Sequence, residues 1–176
     1  MHYESKIAVF DLDGTLWNVN SHYELLNLYY KTKFFTSFLY RLMYKLVPIV
    51  GQKIRDVCFE KVSDSFIDGI NFEFNYEIVN LLKQKESEGY KILIISNAPR
   101  EIIIKNASKR LNCDYLCARQ NEKLSVLNSV YSYSDLFVCT DNTTDIDLLQ
   151  AATTYYLVLP NLRIKHFFKK QGFKNA

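Results

Sequence analysis

Short, uninterrupted apolar runs alternate with longer helical stretches along this chain, and no other feature limits its possible folds as strongly. The runs cover residues 7–10, 92–95, 136–139 and 155–159, and residues 114–118 form a weaker one. Apolar runs without polar alternation indicate strands that are buried on both faces, as in a parallel sheet. The alternation therefore predicts an α/β fold with a doubly wound, Rossmann-like parallel sheet.

The stretches between the runs show helical spacing and ordinary helix boundary signals. Residues 76–88 place apolar side chains on one face and are followed by Gly89, a typical helix stop. Residues 99–111 begin with Pro99, which is favoured in a first helical turn, and 123–130 is a shorter helical stretch. Each helix is expected to cross between two parallel strands.

The segment between the first strand and the first of these helices contains no strand signal. Two helical stretches, 21–47 and 51–67, fill it, and Pro48 and Gly51 punctuate them. We interpret this segment as a small α-helical cap inserted after the first strand. The predicted domains are a Rossmann-like core of residues 1–16 and 75–176 and a helical cap of residues 17–74.

The composition and charge exclude several classes of protein. The chain has 176 residues, of which 48% are apolar, and its 22 basic and 19 acidic residues give a net charge of +3. This balance does not call for a nucleic-acid partner, and none is expected.

Residues 1–6 do not resemble a signal peptide, and no apolar run reaches the roughly 20 residues of a spanning helix. Four cysteines without paired spacing indicate free thiols in a reducing compartment, so we expect a cytoplasmic protein.

Two carboxylates follow the first predicted strand. Asp11 ends that strand, and Asp13 lies in a turn that Gly14 allows. Carboxylates this close repel each other unless a cation neutralises them or one of them is protonated. A divalent ion with oxygen ligands fits such a pair, and Mg²⁺ is the usual partner of phosphates. Taken alone, the pattern also permits a simple Asp-Gly turn.

Polar residues follow two other predicted strands as well. Ser96 and Asn97 end the second strand, just before a helix whose free N–H groups favour a phosphate. Asp141 and Asp145 follow a later strand and suit a metal site, while Lys123 offers a positive charge to a phosphoryl group. Because ligands of open α/β sheets bind outside the carboxyl ends of the strands, we expect one shared site. The alternatives are that Ser96 only caps a helix and that Asp145 only complements a helix N-terminus.

These residues resemble the four motifs of the haloacid dehalogenase-like superfamily of hydrolases, which occur here in order. The motifs are D-x-D-G-T at residues 11–15, then Ser96, Lys123, and the pair Asp141 and Asp145. The resemblance implies a phosphatase that forms and hydrolyses an aspartyl-phosphate with Mg²⁺ as its cofactor. An Asp two residues after the nucleophile implies phosphomonoester chemistry rather than dehalogenation.

The resemblance also implies a role for each motif residue. Asp11 is the nucleophile, and Asp13 protonates the leaving oxygen and then activates water. Ser96 and Lys123 hold the phosphoryl oxygens, and Asn97 is a further candidate for that position. The implied metal ligands are Asp11, the backbone carbonyl of Asp13, Asp141 and, through a bound water, Asp145.

A helical cap between the first two motifs is typical of the phosphoserine-phosphatase-like branch of that superfamily. Members of this branch carry a Glu nine residues after the nucleophile, and Asn20 stands there in this sequence. Asn97 and Ala98 replace a glycine pair, and Thr140 replaces another glycine. The expected substrate is therefore a small phosphorylated metabolite other than phosphoserine, with the cap shaping selectivity.

The predicted cap is unusually aromatic and basic. Residues 34–50 are mostly apolar, with Arg41 and Lys45 interspersed, and residues 166–174 have a similar character. These side chains could form the core of a small cap, contact a partner or a second copy, or meet an anionic membrane surface. The last case would suit a phosphatase of a lipid-linked phosphate.

Two further alternatives concern the activity itself. One is phosphoryl transfer to an acceptor other than water, and the other is a catalytically silent binding or scaffold protein that keeps the fold. No pattern in the sequence indicates an oligomeric state.

Overall fold

The computed structural model describes residues 5–174, which form two compact units. One unit comprises the described residues of Met1–Asn18 and Glu73–Ala176, and the other comprises Val19–Phe72. All the strands of the sheet belong to the first unit, whereas the second unit is helical. Among the described residues, no helix combines the length and the apolar content that crossing a bilayer requires.

The sheet is parallel throughout and has the strand order β3-β2-β1-β4-β5. Its strands are β1 (Lys6–Phe10), β2 (Lys91–Ser96), β3 (Asp114–Cys117), β4 (Asp135–Thr140) and β5 (Thr154–Leu157). The predicted doubly wound α/β fold is therefore confirmed, including its weakest strand signal at 114–118. The last strand ends at Leu157, two residues before the end of the apolar run that predicted it.

Continuous apolar runs form the central strands because both faces of the sheet are covered. Ile7 and Val9 of β1 are buried, and so are Leu93 and Ile95 of β2 and Val138 of β4. These residues belong to one hydrophobic cluster that also includes side chains from the helices of the same unit. This cluster fixes the positions of the strand ends.

The helices follow the sequence pattern in most places. They are α1 (Ser21–Tyr29), α2 (Phe38–Leu46), α3 (Pro48–Glu60), α4 (Asp64–Asp68), α5 (Tyr76–Ser87), α6 (Glu101–Leu111), α7 (Lys123–Val130), α8 (Ile146–Ala151) and α9 (Leu162–Lys170). The expectation that Pro99 opens a helix is wrong, because α6 begins only at Glu101. Arg100 before it has an extended backbone (φ −140°, ψ 136°), so residues 97–100 form a loop.

The predicted helical stretch over 21–47 is interrupted in the structure. The α1 helix ends at Tyr29, and Lys31 adopts a left-handed conformation with φ of 50°. The Asn27 side chain then accepts a hydrogen bond from the Phe35 backbone N–H (3.0 Å) and donates one to Thr36 Oγ1 (2.8 Å). These side-chain bonds hold a 3₁₀ turn between α1 and α2, and apolar periodicity carries no signal for them.

Of the two residues expected to punctuate the helices of this unit, Pro48 does so and Gly51 does not. Pro48 is the first residue of α3, where its missing N–H costs nothing. Gly51 lies inside α3 and is buried, and a Cβ there would lie 2.7 Å from Tyr44 Cδ2. Glycine at this position therefore allows α2 and α3 to approach closely.

Candidate active site

The point where the sheet changes its winding direction lies at β1. The chain proceeds from β1 to β2 and β3 on one side and then returns to place β4 and β5 on the other. Asp11 follows β1 directly and donates its backbone N–H to Cys139 O of β4 at 2.9 Å. Its Oδ1 accepts the Leu12 N–H at 2.9 Å, and the side chain is buried. A carboxylate is thus fixed where open α/β sheets bind their ligands.

Lys123 joins Asp11 to the segment that follows β4. Its Nζ lies 2.8 Å from Asp11 Oδ1 and 2.7 Å from Asp145 Oδ2, and only 2% of the lysine is exposed. Burial alone would lower the pKa of Lys123, but the two carboxylates outweigh that effect and raise it. The lysine therefore stays charged inside the protein, as the first residue of α7.

Thr15 connects the first motif to the fourth. Its Oγ1 donates to Asp141 Oδ1 at 3.1 Å and accepts the Asp141 backbone N–H at 3.0 Å. Burial, together with the nearby charge of Asp11, raises the pKa of Asp141 to about 7. Two loops that are 126 residues apart in sequence are held together by one hydroxyl group.

Gly14 is required by this arrangement for two reasons. Its φ of +75° lies in the left-handed region, and a Cβ built on it would lie 2.3 Å from Asp141 Oδ2. The carboxylate of Asp141 thus occupies the space that any other side chain would need. A glycine after Asp13 brings the first and fourth motifs into contact.

Replacing Gly14 with Ala should therefore lower activity at least about tenfold, through backbone strain and displacement of Asp141. Gly89→Ala is a matched control, because Gly89 has φ of +84° but nothing within 4 Å of the added Cβ. Measuring turnover and thermal unfolding of both variants separates the effect of backbone strain from that of displacing Asp141. Equal loss of activity in both variants would contradict the contact-based explanation.

Thr140, at the end of β4, supports Asp145 and was not identified from the sequence. Its Oγ1 donates to Asp145 Oδ2 at 2.8 Å and accepts the Asn142 N–H at 2.9 Å. Asp145 stands at the N-cap position of α8 and makes no side-chain cap hydrogen bond there. The alternative that it complements the helix N-terminus stays a prediction, as does its role at a metal site. Burial and the charge of Asp11 raise the pKa of Asp145 to about 6. The one sequence feature that could have pointed to Thr140 is its position, as a hydroxyl residue at the end of a buried apolar run.

We expect Thr140→Val to destabilise the protein by about 1–3 kcal/mol, since the half-buried Asn142 N–H and the buried Asp145 carboxylate each lose a partner. Thr140→Ser should restore both stability and turnover. The control is Thr153→Val, which removes a comparable bond from Leu136 N to Thr153 Oγ1 (3.2 Å) away from the site. Chemical denaturation and initial rates measure the outcome, and unchanged turnover in Thr140→Val would contradict a supporting role.

The remaining predicted residues lie along the same edge of the sheet. Ser96 ends β2 and is buried, and its carbonyl accepts the Ala118 N–H at 3.1 Å. The N-cap position of α6 is held by Arg100, so Ser96 is not the helix N-cap. Asn97 is exposed, and Asp13 is half-buried in the loop after β1. Their positions suit the predicted roles, which remain predictions.

The ionic groups of this site suit a divalent cation. The Lys123 ammonium group pairs with two buried carboxylates, those of Asp11 and Asp145. The half-buried Asp141 carboxylate is a third, so these four groups carry two net negative charges when all are ionised. In the part of the chain that the structure describes, Asp145 Oδ1 is buried without a hydrogen-bond partner. No group of three His, Cys, Asp or Glu side chains among residues 5–174 forms a metal site by itself. Mg²⁺ fits this donor set, because it takes one or two carboxylates and keeps several waters.

A cavity of about 630 Å³ opens beside the first motif, and no pattern in the sequence predicted it. It is lined by Gly14 and Asn18, by the start of α5, and by residues 155–160. At its wall the Tyr156 hydroxyl donates to Glu77 Oε1, and this bond raises the pKa of Tyr156 to about 12. The cavity offers polar and aromatic surface next to the loop that carries Asp13.

Comparison with known families agrees with this geometry. The family model described as haloacid dehalogenase-like hydrolase matches residues 8–150, which include every motif residue named above. The chain belongs to the haloacid dehalogenase-like hydrolases. Among curated proteins, none matches this sequence at a significant level.

Solved structures share the fold of this haloacid dehalogenase-like hydrolase at low sequence identity. A phospho-aspartyl intermediate analogue of phosphoserine phosphatase has a TM-score of 0.68 at 13% identity, covering 93% of this chain and 91% of that one. A protein of unknown function from Bordetella pertussis Tohama I has a TM-score of 0.65 at 13% identity, with 97% of each chain covered. Phosphoserine phosphatase from T. onnurineus gives 0.56 at 13% identity, covering 93% and 94%. At this identity the likeness concerns the fold.

Proposed function

We propose that this hydrolase is a magnesium-dependent phosphomonoesterase that forms an aspartyl-phosphate on Asp11. The observation that supports this proposal is the buried Lys123 ammonium, held 2.8 Å from Asp11 Oδ1 at the winding reversal of the sheet. A carboxylate oriented by hydrogen bonds and a fixed cation is suited to attack an electron-poor centre. The substrate class that we propose is a small phosphorylated metabolite.

The reaction would proceed in two displacements. In the first, a carboxylate oxygen of Asp11 forms a bond to phosphorus while the ester P–O bond breaks, and Asp13 gives its proton to the departing alcohol. In the second, Asp13 takes a proton from water, and the water oxygen forms a bond to phosphorus. The bond between phosphorus and the Asp11 oxygen breaks at the same time, and inorganic phosphate leaves. The carboxylate of Asp11 and the proton of Asp13 are both regenerated.

Lys123, Ser96 and Asn97 would bind the phosphoryl group. An ammonium group has three N–H donors, and Asp11 and Asp145 accept two of those on Lys123. The third would be directed to a phosphoryl oxygen. Ser96 at the end of β2 and Asn97 after it would donate from the neighbouring strand.

The magnesium ion would be held by Asp11, the backbone carbonyl of Asp13 and Asp141, with Asp145 holding a bound water. When bound, the ion would neutralise negative charge on the phosphoryl oxygens and the carboxylates. Thr15 and Gly14 keep the Asp141 carboxylate against the first motif, so this position does not depend on the ion.

Phosphate release tests the proposal directly. We expect release from p-nitrophenyl phosphate and from some members of a panel of metabolite phosphates when Mg²⁺ is present. A chelator should abolish the release and excess Mg²⁺ should restore it. Equal rates with and without chelator would contradict the metal requirement. Absence of release from every ester by well-folded protein would favour the catalytically silent alternative.

A further inference from the structure

The second unit carries an apolar surface that its own core does not use. The surface is formed by α2 and the start of α3, and its apolar members are Phe38, Leu39, Leu42, Leu46, Ile49 and Val50. Phe38 is 76% exposed, Leu46 70% and Ile49 79%. We call these six residues, with the cations Arg41 and Lys45 beside them, the cationic apolar surface.

The arrangement of side chains around α2 is that of a helix that lies in an interface. At about 100° per residue, Phe38, Leu42, Leu46 and Leu39 occupy one arc of about 100°. The exposed cations Arg41 and Lys45 occupy the adjoining arc, whereas Tyr40 on the opposite side is buried. Apolar and cationic stripes therefore lie side by side on the exposed face.

The charge of this region has a single sign over a long stretch. From Leu25 to Arg55 the sequence contains no Asp or Glu. Its six cationic residues are Lys31, Lys33, Arg41, Lys45, Lys53 and Arg55. The chain as a whole has nearly as many acidic as basic residues, so the positive charge is concentrated here.

The other aromatic and basic segment of the chain behaves differently. In α9 and the residues after it, Phe168 is fully buried, and Phe167 and Phe173 pack against the core of the first unit. Phe173 also packs edge-on against Tyr155. Of the two aromatic and basic segments, the one in α9 therefore buries its aromatic side chains, whereas the one in α2 and α3 leaves its apolar side chains exposed.

We propose that the cationic apolar surface docks this protein onto membranes that contain anionic lipid. Its apolar side chains would enter the boundary between headgroups and acyl chains, while Arg41 and Lys45 extend toward lipid phosphates. With nine residues, α2 is too short to cross a bilayer and would lie in the plane of its surface. A symmetric dimer through this surface is disfavoured, because it would oppose cations with cations and supply no acidic partner.

Co-sedimentation of the full chain with vesicles tests the docking surface. We expect binding to vesicles of phosphatidylcholine and phosphatidylglycerol, little binding to pure phosphatidylcholine, and weaker binding as salt is added. The double variant Phe38→Ser/Leu42→Ser should bind at least about tenfold more weakly. Arg41→Gln and Lys45→Gln should each cost about fivefold.

Matched controls come from the first unit. Leu162 is 83% exposed, so Leu162→Ser removes an equally exposed apolar side chain without touching the surface. Lys105→Gln and Lys109→Gln remove two exposed cations from α6. None of these controls should change vesicle binding. Circular dichroism confirms that each variant is folded.

Three results would overturn the proposal. The first is no binding to anionic vesicles, and the second is equal binding to neutral and anionic vesicles. The third is a reversible dimer in analytical ultracentrifugation that Phe38→Ser/Leu42→Ser dissociates while vesicles remain unbound. None of these measurements requires turnover, so failure of the docking surface is distinguishable from failure of the proposed phosphatase activity.

Discussion

Asp11→Asn is expected to abolish phosphate release, with a loss of about 10⁴-fold or more. The amide keeps the shape of the side chain and can still accept the Leu12 N–H, but it is a very poor nucleophile toward phosphorus. Lys123 retains Asp145 as its partner, so the fold should survive. Rapid quenching of wild type with substrate should also trap a hydroxylamine-sensitive phosphoprotein that the variant does not form.

Asp114→Asn serves as the matched substitution for Asp11→Asn. Asp114 lies at the start of β3, is exposed, and pairs with Lys91 far from the first motif. Its replacement should leave turnover unchanged. If Asp11→Asn kept more than about a tenth of the wild-type rate, the covalent mechanism would be wrong.

Lys123→Met should both unfold the protein more easily and remove its activity. The methionine fits the volume of the lysine stem but leaves two buried carboxylates, Asp11 and Asp145, facing each other without a cation. Removing one partner of a buried ion pair typically destabilises a protein by about 3–5 kcal/mol. Urea denaturation in the presence of chelator measures this loss without compensation by a bound metal.

The double variant Lys123→Met/Asp145→Asn separates charge balance from catalysis. Removing one carboxylate should recover part of the stability, because only Asp11 then lacks a counter-charge. Turnover should stay absent, since no ammonium remains to hold the phosphoryl group. Lys105→Met on the exposed side of α6 should change neither quantity. Stability equal to wild type in Lys123→Met would refute the buried ion-pair interpretation.

The sequence predicted the sheet because its signal is local. Continuous apolar runs such as the one in β4 leave the solvent only when both faces of the sheet are covered. Polar residues directly follow several of these runs, so the runs also indicated which strand ends carry the site. The site residues followed from the same rule together with family resemblance. Lys123 could be proposed as a phosphate ligand, but its contacts with Asp11 and Asp145 depend on how α7 packs.

The parts that were missed depend on side chains meeting across long separations. Thr140 supports Asp145, and Thr15 binds Asp141, and neither pairing leaves a periodic trace in the sequence. The interruption between α1 and α2 has a similar cause, because the Asn27 side chain forms the turn. Gly51 resembled a helix breaker until the packing of Tyr44 showed why glycine is needed inside α3.

The central position of β1 has a consequence for biosynthesis. Its neighbour β4 ends at Thr140, which is 129 residues from Asp11 along the chain. One edge of β1 therefore stays unpaired in the nascent chain until most of the protein has been translated. Contacts of such long range form slowly, because the entropy of closing the loop is lost before any pairing is gained. Until then the edge is open to aggregation or chaperone binding. A ribosome-stalled chain that ended before β4 would contain the complete first motif and yet be unable to assemble the enzyme.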